Sequence, residues 1–293
     1  MASGKNINLF LMDGEAVGRI KCTLANWTGI AYKIPRTMLD EAKNIEYLNQ
    51  TGVYFLFGSS DDTGEPVVYI GQAGIRKNGR GILYRLDEHR KDESKEYWTE
   101  AVAFTTSNNS FGQTEISYLE NRFCNMAVNA KRYIVKNAND PYHGNITEEK
   151  ESELEEFITY AKLVMGALGY KMFEPLVGFE PRHKPEGSDI DNEPLLYLKT
   201  NTAEATGKRT AEGFVVMAGS KIALKTYKSF PESSEKYRKK YKNKISNDGV
   251  LLEDVLIGSP SGAACFVGGS AINGNTAWKT SDGVALKHLD SLS

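Results

Sequence analysis

Two short runs constrain this chain of 293 residues more than any other feature: Gly52-Val-Tyr-Phe-Leu-Phe-Gly58 and Pro66-Val-Val-Tyr-Ile-Gly71. Both are rich in β-branched and aromatic residues, and a polar segment containing Gly64 separates them. They predict an antiparallel hairpin. On such a hairpin Tyr54 and Tyr69 lie on adjacent strands and can share one face. Taken singly, each tyrosine is an ordinary strand former. The glycines beside them, Gly52 and Gly71, imply that something approaches the backbone closely there.

Upstream, residues 6–12 and 18–24 flank Asp13-Gly14 and predict a further hairpin. A strand at 29–34 runs to Pro35, which predicts a helix at about 36–45. Residues 1–47 are too few to hold a core of their own and must lean on the domain after them. Downstream, the pattern predicts a helix from about 80 to 92, a strand at 99–106 and a helix from about 113 to 130. Thr147, with Glu148 and Glu149 after it, marks a helix N-terminus. That helix carries an apolar stripe, Leu154, Ile158, Ala161, Met165 and Leu168, ending at Gly169. Residues 178–193 turn rich in Pro, Gly and acids, a linker signal. Beyond them come strands at 194–200 and 212–218, a basic run, and a helix starting at Ser259-Pro260. The expected organisation is an α+β chain in four parts: extension 1–47, domain 48–177, linker 178–193 and domain 194–293.

Two helices carry polar groups where apolar ones belong. On 113–130, Glu120 points into the stripe made by Ile116, Leu119, Phe123 and Ala127. A carboxylate there costs several kcal/mol unless a cation compensates it. Pairing with a buried Arg, or a place at the wet margin of the stripe, would equally serve. On 80–92, Arg85 and His89 share a face with Ile82 and Leu86. Two potential cations four residues apart repel, which an intervening phosphate would relieve. An Arg–His pair at a half-exposed edge is the plainer alternative.

Composition narrows the function classes. The formal net charge is −2, which gives no global support for nucleic-acid binding. The local picture differs, with nine Lys/Arg between Lys221 and Lys244 against Glu232 and Glu235. A basic run with interleaved tyrosines can follow a phosphate backbone; it can equally be a solvated helix face. Cys22, Cys124 and Cys265 are far apart and lack a Cys-x-x-Cys spacing, which argues against disulfides and structural zinc. No stretch suits a spanning helix, and Met-Ala-Ser-Gly-Lys-Asn opens without a signal-like apolar run, so a reduced cytoplasmic protein is expected. There is no P-loop and no dinucleotide fingerprint.

The ordered set Gly52-Val-Tyr54, Tyr69-Ile-Gly71, Arg85 and His89 on one helix, and Glu120 in Ser117-Tyr-Leu-Glu-Asn-Arg-Phe123 resembles the GIY-YIG nucleases. That family includes phage homing endonucleases, some restriction enzymes and the incision subunit of bacterial excision repair. The resemblance covers residues 50–140 and implies a three-stranded antiparallel sheet flanked by helices. More widely, Asn26-Trp-Thr-Gly29 and Pro35-Arg36 resemble the opening segment of a bacterial GIY-YIG group. Members of that group carry a C-terminal domain of unknown function. Ser259-Pro-Ser-Gly-Ala-Ala264 and Trp278-Lys-Thr-Ser-Asp-Gly283 match it and also resemble the RAMA domain, a module attached to restriction enzymes and adenine methylases.

The resemblance implies an endonuclease acting on DNA. Glu120 would be the sole protein ligand of one Mg2+ or Mn2+, and Tyr69 or Tyr54 would orient or deprotonate the attacking water. Arg85 would neutralise transition-state charge, and His89 would assist Tyr54 or protonate the leaving oxygen. Asn137, after Tyr133-Ile-Val-Lys, would be the family's later asparagine, with Asn139 close behind. Where the excision-repair members carry lysine, this chain has Gln72, leaving Arg76, Lys77 and Arg80 nearby to stand in as phosphate-binding cations. In the C-terminal domain, Lys236, Arg238, Lys239 and Lys240 are the expected nucleic-acid contacts. Related nucleases often cut both strands as dimers, so a homodimer is an implied partner. The competing reading is a binding protein that kept the fold and lost turnover.

Overall fold

Apolar alternation in the first hundred residues pairs into strands: β1 (Ile7–Leu11), β2 (Ile20–Leu24), β3 (Gly29–Pro35), β4 (Gly52–Ser59), β5 (Pro66–Ala73) and β6 (Trp98–Thr106). The computed structural model describes residues 4–74, 81–137, 145–177 and 193–291. It divides into two units, Ala2–Pro175 and Leu176–Ser293.

In the first unit a seventh strand, β7 (Ile134–Val135), completes one sheet of order β1-β2-β3-β6-β4-β5-β7. Every pairing is antiparallel except β5 with β7. The expected hairpin is present, with Tyr54 opposite Gly71 and Leu56 opposite Tyr69. The expected three-stranded sheet is the β6-β4-β5 centre of a larger one. The extension at 1–47 is continuous with it, because β3 pairs with β6 from Gly29 to Pro35.

Strand alternation divides the core into two faces. Val53, Phe55, Val68, Ile70 and Phe104 lie on one, covered by α2 (Gln113–Ala130) and α3 (Glu148–Ala167). Tyr32, Tyr54, Leu56 and Ala103 lie on the other, with Ile82 and Leu86 of α1 (Ile82–Lys91). The predicted limits of α2 hold, and Thr147 caps α3 by accepting from the Lys150 amide at 3.4 Å. The helix expected at 36–45 is replaced by three 3₁₀ turns, Arg36–Met38, Glu41–Asn44 and Glu46–Asn49. The reason lies in the spacing: Leu39, Ala42, Ile45 and Leu48 are buried at every third residue, the 3₁₀ period.

The second unit holds a four-stranded antiparallel sheet of order β11-β10-β9-β8, built from β8 (Leu196–Lys199), β9 (Glu204–Thr210), β10 (Gly213–Val216) and β11 (Val255–Ile257). Its helices are α4 (Glu232–Lys240), α5 (Pro260–Gly268) and α6 (Gly274–Ala277). Phe214 packs on Trp278 with ring centroids 4.6 Å apart, and the indole donates to the Pro260 carbonyl at 3.0 Å. The helix expected to start at Ser259-Pro260 is α5, and Ser259 caps it by accepting from the Gly262 amide. Strands β9 and β11 were not expected. β9 reads Glu-Ala-Thr-Gly-Lys-Arg-Thr, with only small residues facing inward.

The three cysteines are buried and none forms a disulfide with another. Among the described residues, no helix is long and apolar enough to cross a membrane.

Candidate active site

The site begins at the β4–β5 pair. Tyr54 is almost fully buried, and its ring crosses Gly71 on the neighbouring strand. A Cβ at Gly71 would lie 2.4 Å from the Tyr54 hydroxyl, so only glycine fits there. At Gly52 a Cβ would meet the Phe104 carbonyl at 2.2 Å. The close approaches implied by these glycines are thus made by the protein itself. Tyr69, half-buried, sits diagonal to Tyr54 on the same face, with ring centroids 6.3 Å apart.

Helix α1 brings His89 onto both tyrosines. Its Nε2 lies 2.7 Å from the Tyr54 hydroxyl, and its Nδ1 lies 2.9 Å from Lys95 Nζ. An ammonium has donors only, so Nδ1 accepts and Nε2 carries the proton. The Tyr54 oxygen therefore receives a hydrogen bond from His89. Lys95 also lies 3.8 Å from the centre of the Tyr69 ring, a cation–π contact. Burial, together with the charges of Lys95 and Arg85, pushes the imidazole pKa down to about 3. His89 is neutral at ordinary pH, and the repulsion expected from Arg85 is one of the causes that keep it so.

Arg85 donates to Glu88 at 2.7 Å and also reaches the Tyr54 hydroxyl. Burial disfavours its charge, but Glu88 and Tyr54 outweigh that effect and its pKa is raised. Burial likewise lifts the Tyr54 hydroxyl far above the usual tyrosine range, and Arg85 only partly opposes this. Tyr69 shifts upward for the same cause.

Glu120 comes from α2. Burial raises its carboxyl pKa; a hydrogen bond from Gln72 and the charge of Arg85 hold it down. Gln72 Nε2 donates to Glu120 Oε2 at 2.8 Å, while its own carbonyl accepts from Gln113 at 2.9 Å and from Ser117 at 3.2 Å. Among the described residues, the other Glu120 oxygen has no hydrogen-bond donor. Glu120 is half-buried, which agrees with the reading that placed it at the wet margin of the stripe, and Arg85 acts on it through charge without a direct hydrogen bond. Beside it opens a cavity of about 330 Å³ lined by Gln72, Ala73, Gly74, Gly81, Arg85 and Gln113.

No group of three or more His, Cys, Asp and Glu side chains among the described residues could hold a metal. A cation at Glu120 would have one protein ligand and fill its sphere with water and phosphate oxygens. Mg2+ tolerates that arrangement, since it keeps several waters when bound by one or two carboxylates. A half-buried carboxylate with one oxygen open fits such a role.

Asn137 lies at the end of β7. Its Oδ1 accepts from the Ile70 amide at 3.1 Å, and its Nδ2 donates to the Ile70 carbonyl at 2.7 Å. It works as an extra strand residue beside Tyr69-Ile-Gly71 and holds that segment in place. Arg76, Lys77, Arg80 and Asn139 lie outside the described residues.

Three residues around the site escaped the sequence reading. Gln113 and Ser117 lie seven and three positions before Glu120, on the same face of α2, a spacing that could have revealed them. Lys95 comes after α1 in a 3₁₀ turn, Glu93–Lys95, and no periodicity points to it.

In the C-terminal unit the basic run splits. Arg238 points inward: its Nε donates to the Phe266 carbonyl at 2.7 Å and its plane lies over the Phe230 and Phe266 rings. Burial lowers its pKa to about 10. Arg238 thus spends its Nε and one terminal nitrogen on carbonyls at the end of α5. Lys236 and Lys239 are exposed and paired one turn back with Glu232 and Glu235. Lys240 lies over the Tyr241 ring.

Comparison with known proteins leaves the candidate site without a counterpart: no curated protein and no solved structure matches the chain. Residues 196–290, which span the C-terminal sheet and its helices, match the family model described as a domain of unknown function, DUF4357.

Proposed function

We propose that the chain is a metal-dependent endonuclease that hydrolyses phosphodiester bonds in DNA, in the manner of the GIY-YIG enzymes it resembles. One observation carries the proposal. Tyr54, Tyr69, Arg85, His89 and Glu120 come from β4, β5, α1 and α2, yet they act on one another electrostatically, and Arg85 and the Glu120 partner Gln72 line one polar cavity.

Glu120 would hold Mg2+ or Mn2+, which when bound would neutralise phosphate charge and act as a Lewis acid. The chain's residues do the rest. The Tyr54 oxygen accepts from His89 and Arg85, so any negative charge it takes on is met by two donors already in place. A tyrosine pKa raised by burial keeps Tyr54 a neutral phenol, so its part in the reaction is to orient the attacking water rather than to take its proton. Arg85 has donors beyond those spent on Glu88 and turns them to the phosphate as charge builds. Lys95 and His89 keep the tyrosine pair in register.

A second reading, binding without turnover, draws on Gln72, whose amide already occupies one Glu120 oxygen. Labelled single- and double-stranded oligonucleotides incubated with Mg2+, with Mn2+ and with chelator separate the two. The proposal expects metal-dependent cleavage and a loss of at least about 100-fold in Glu120→Gln, whose amide cannot replace a hard anionic ligand. Binding with no cleavage under any ion selects the second reading. Cleavage by Glu120→Gln at the wild-type rate removes Glu120 as the ligand.

A further inference from the structure

The seven-stranded sheet ends differently at its two edges. On one side β7 is two residues long. On the other, β1 is a five-residue strand, Ile-Asn-Leu-Phe-Leu, with no Pro, Lys or bulge to blunt it. Leu9, Phe10 and Leu11 are 42, 58 and 38 % exposed, although they are consecutive and apolar. Natural sheets normally avoid such an edge, because its free amides and carbonyls recruit another strand.

The hydrogen-bond parity of β1 specifies which groups are free. Met12 donates to the Arg19 carbonyl and the Asn6 carbonyl accepts from Ala25, so the even-numbered residues bond to β2. In an antiparallel ladder the amides and carbonyls of Ile7, Leu9 and Leu11 then point outward, away from β2. The segment is self-complementary about Leu9. Set antiparallel to itself, Leu9 faces Leu9 of the second copy and Ile7 faces Leu11. This register matches outward residue with outward residue, as the ladder requires. In this register Lys5 stands opposite Asp13 of the second copy, so no like charges meet across the seam; Asp13 is already paired with Arg19 within its own chain. A one-residue slip would face free groups with spent ones.

We propose that β1 is a homodimer interface, joining two copies of this chain edge to edge into one continuous antiparallel sheet. The ladder gains three facing pairs, each exchanging two hydrogen bonds, and covers Leu9, Leu11 and Phe10. The inference concerns assembly and stands whether or not the chain cuts nucleic acid. Edge pairing buries little surface beside a standard interface, so the dimer forms at about 10–100 μM.

Sedimentation equilibrium of the full chain across that range tests it. Wild type is expected to be dimeric at the upper end, and Leu9→Lys, whose side chain is already exposed, at least tenfold weaker in association with unchanged circular dichroism. Cysteine cross-linking tests the register, since the three native cysteines are buried. Facing Cα atoms in a hydrogen-bonded pair are about 5.5 Å apart, within disulfide reach. Leu9→Cys should cross-link to itself under mild oxidation, and Leu11→Cys, opposite Ile7, should not. A wild-type chain monomeric throughout the range, or equal cross-linking by the two variants, overturns the proposal.

Discussion

At the scale of single residues, Lys95 gives His89 its chemical identity. With an ammonium 2.9 Å from Nδ1, the imidazole has one tautomer open to it and presents N–H to Tyr54. Lys95→Met removes the donor and frees the tautomer. Nitrogen-15 spectra of the imidazole should show His89 as the Nε2–H form in wild type and a mixture in Lys95→Met; a pure Nε2–H signal in both would end the argument. The same residue carries a pH dependence. Unfolded, His89 takes up a proton near pH 6.5; folded, it does so only near pH 3. The unfolded chain binds more protons across that window, so stability falls as pH drops through it. The loss approaches roughly 1.4 kcal/mol per pH unit at its steepest. Between pH 6.5 and 4.5 the melting temperature of His89→Gln should therefore fall less than that of wild type. Parallel melting curves would mean that burial does not hold His89 neutral.

At the scale of elements, Asn137 shows how a side chain finishes a sheet. β7 is too short to hold β5 by itself, and the Asn137 amide supplies the next two hydrogen bonds of the ladder. Asn137→Ala should cost about 1–3 kcal/mol in denaturant unfolding, because the Ile70 amide and carbonyl lose their partner. Asn137→Asp, which sets a carboxylate oxygen against the Ile70 carbonyl in place of a donor, should cost at least as much. Equal stability of all three would show that β5 needs no such support. The legible parts of the sequence are those that local pattern decides. Hairpins with alternating apolar residues, α2 with its full stripe and the caps at Thr147 and Ser259 were readable because short-range spacing sets them. Glu120 was readable for the converse reason, a charge breaking a pattern. The 3₁₀ turns between β3 and β4 were not, since a run near Pro35 with apolar residues at every third position also suits an α-helix. β9 hid behind polar outward residues. Lys95 and the inward turn of Arg238 depend on contacts between elements distant in sequence, which no local period encodes.

At the scale of the whole molecule, the two units have separate cores, one around Phe55, Phe104 and Phe123 and the other around Phe214, Phe266 and Trp278. A chain cut after residue 177 keeps every described residue of the candidate site and the core that supports it, so it should fold and unfold cooperatively alone. On the proposed function, the missing unit contributes binding rather than chemistry. The share of α4 in that binding is bounded by its cations. Arg238 is committed to the end of α5, leaving Lys236, Lys239 and Lys240 on α4, the first two exposed but each held beside a glutamate. Each phosphate neutralised contributes about 0.9 to the slope of log affinity against log salt. If all three reach phosphates, the full chain should be steeper than residues 1–177 by roughly 2.7 on one double-stranded oligonucleotide. A smaller difference counts the lysines that stay with their glutamates. Identical slopes would make α4 a solvated helix and take nucleic-acid binding away from the C-terminal unit.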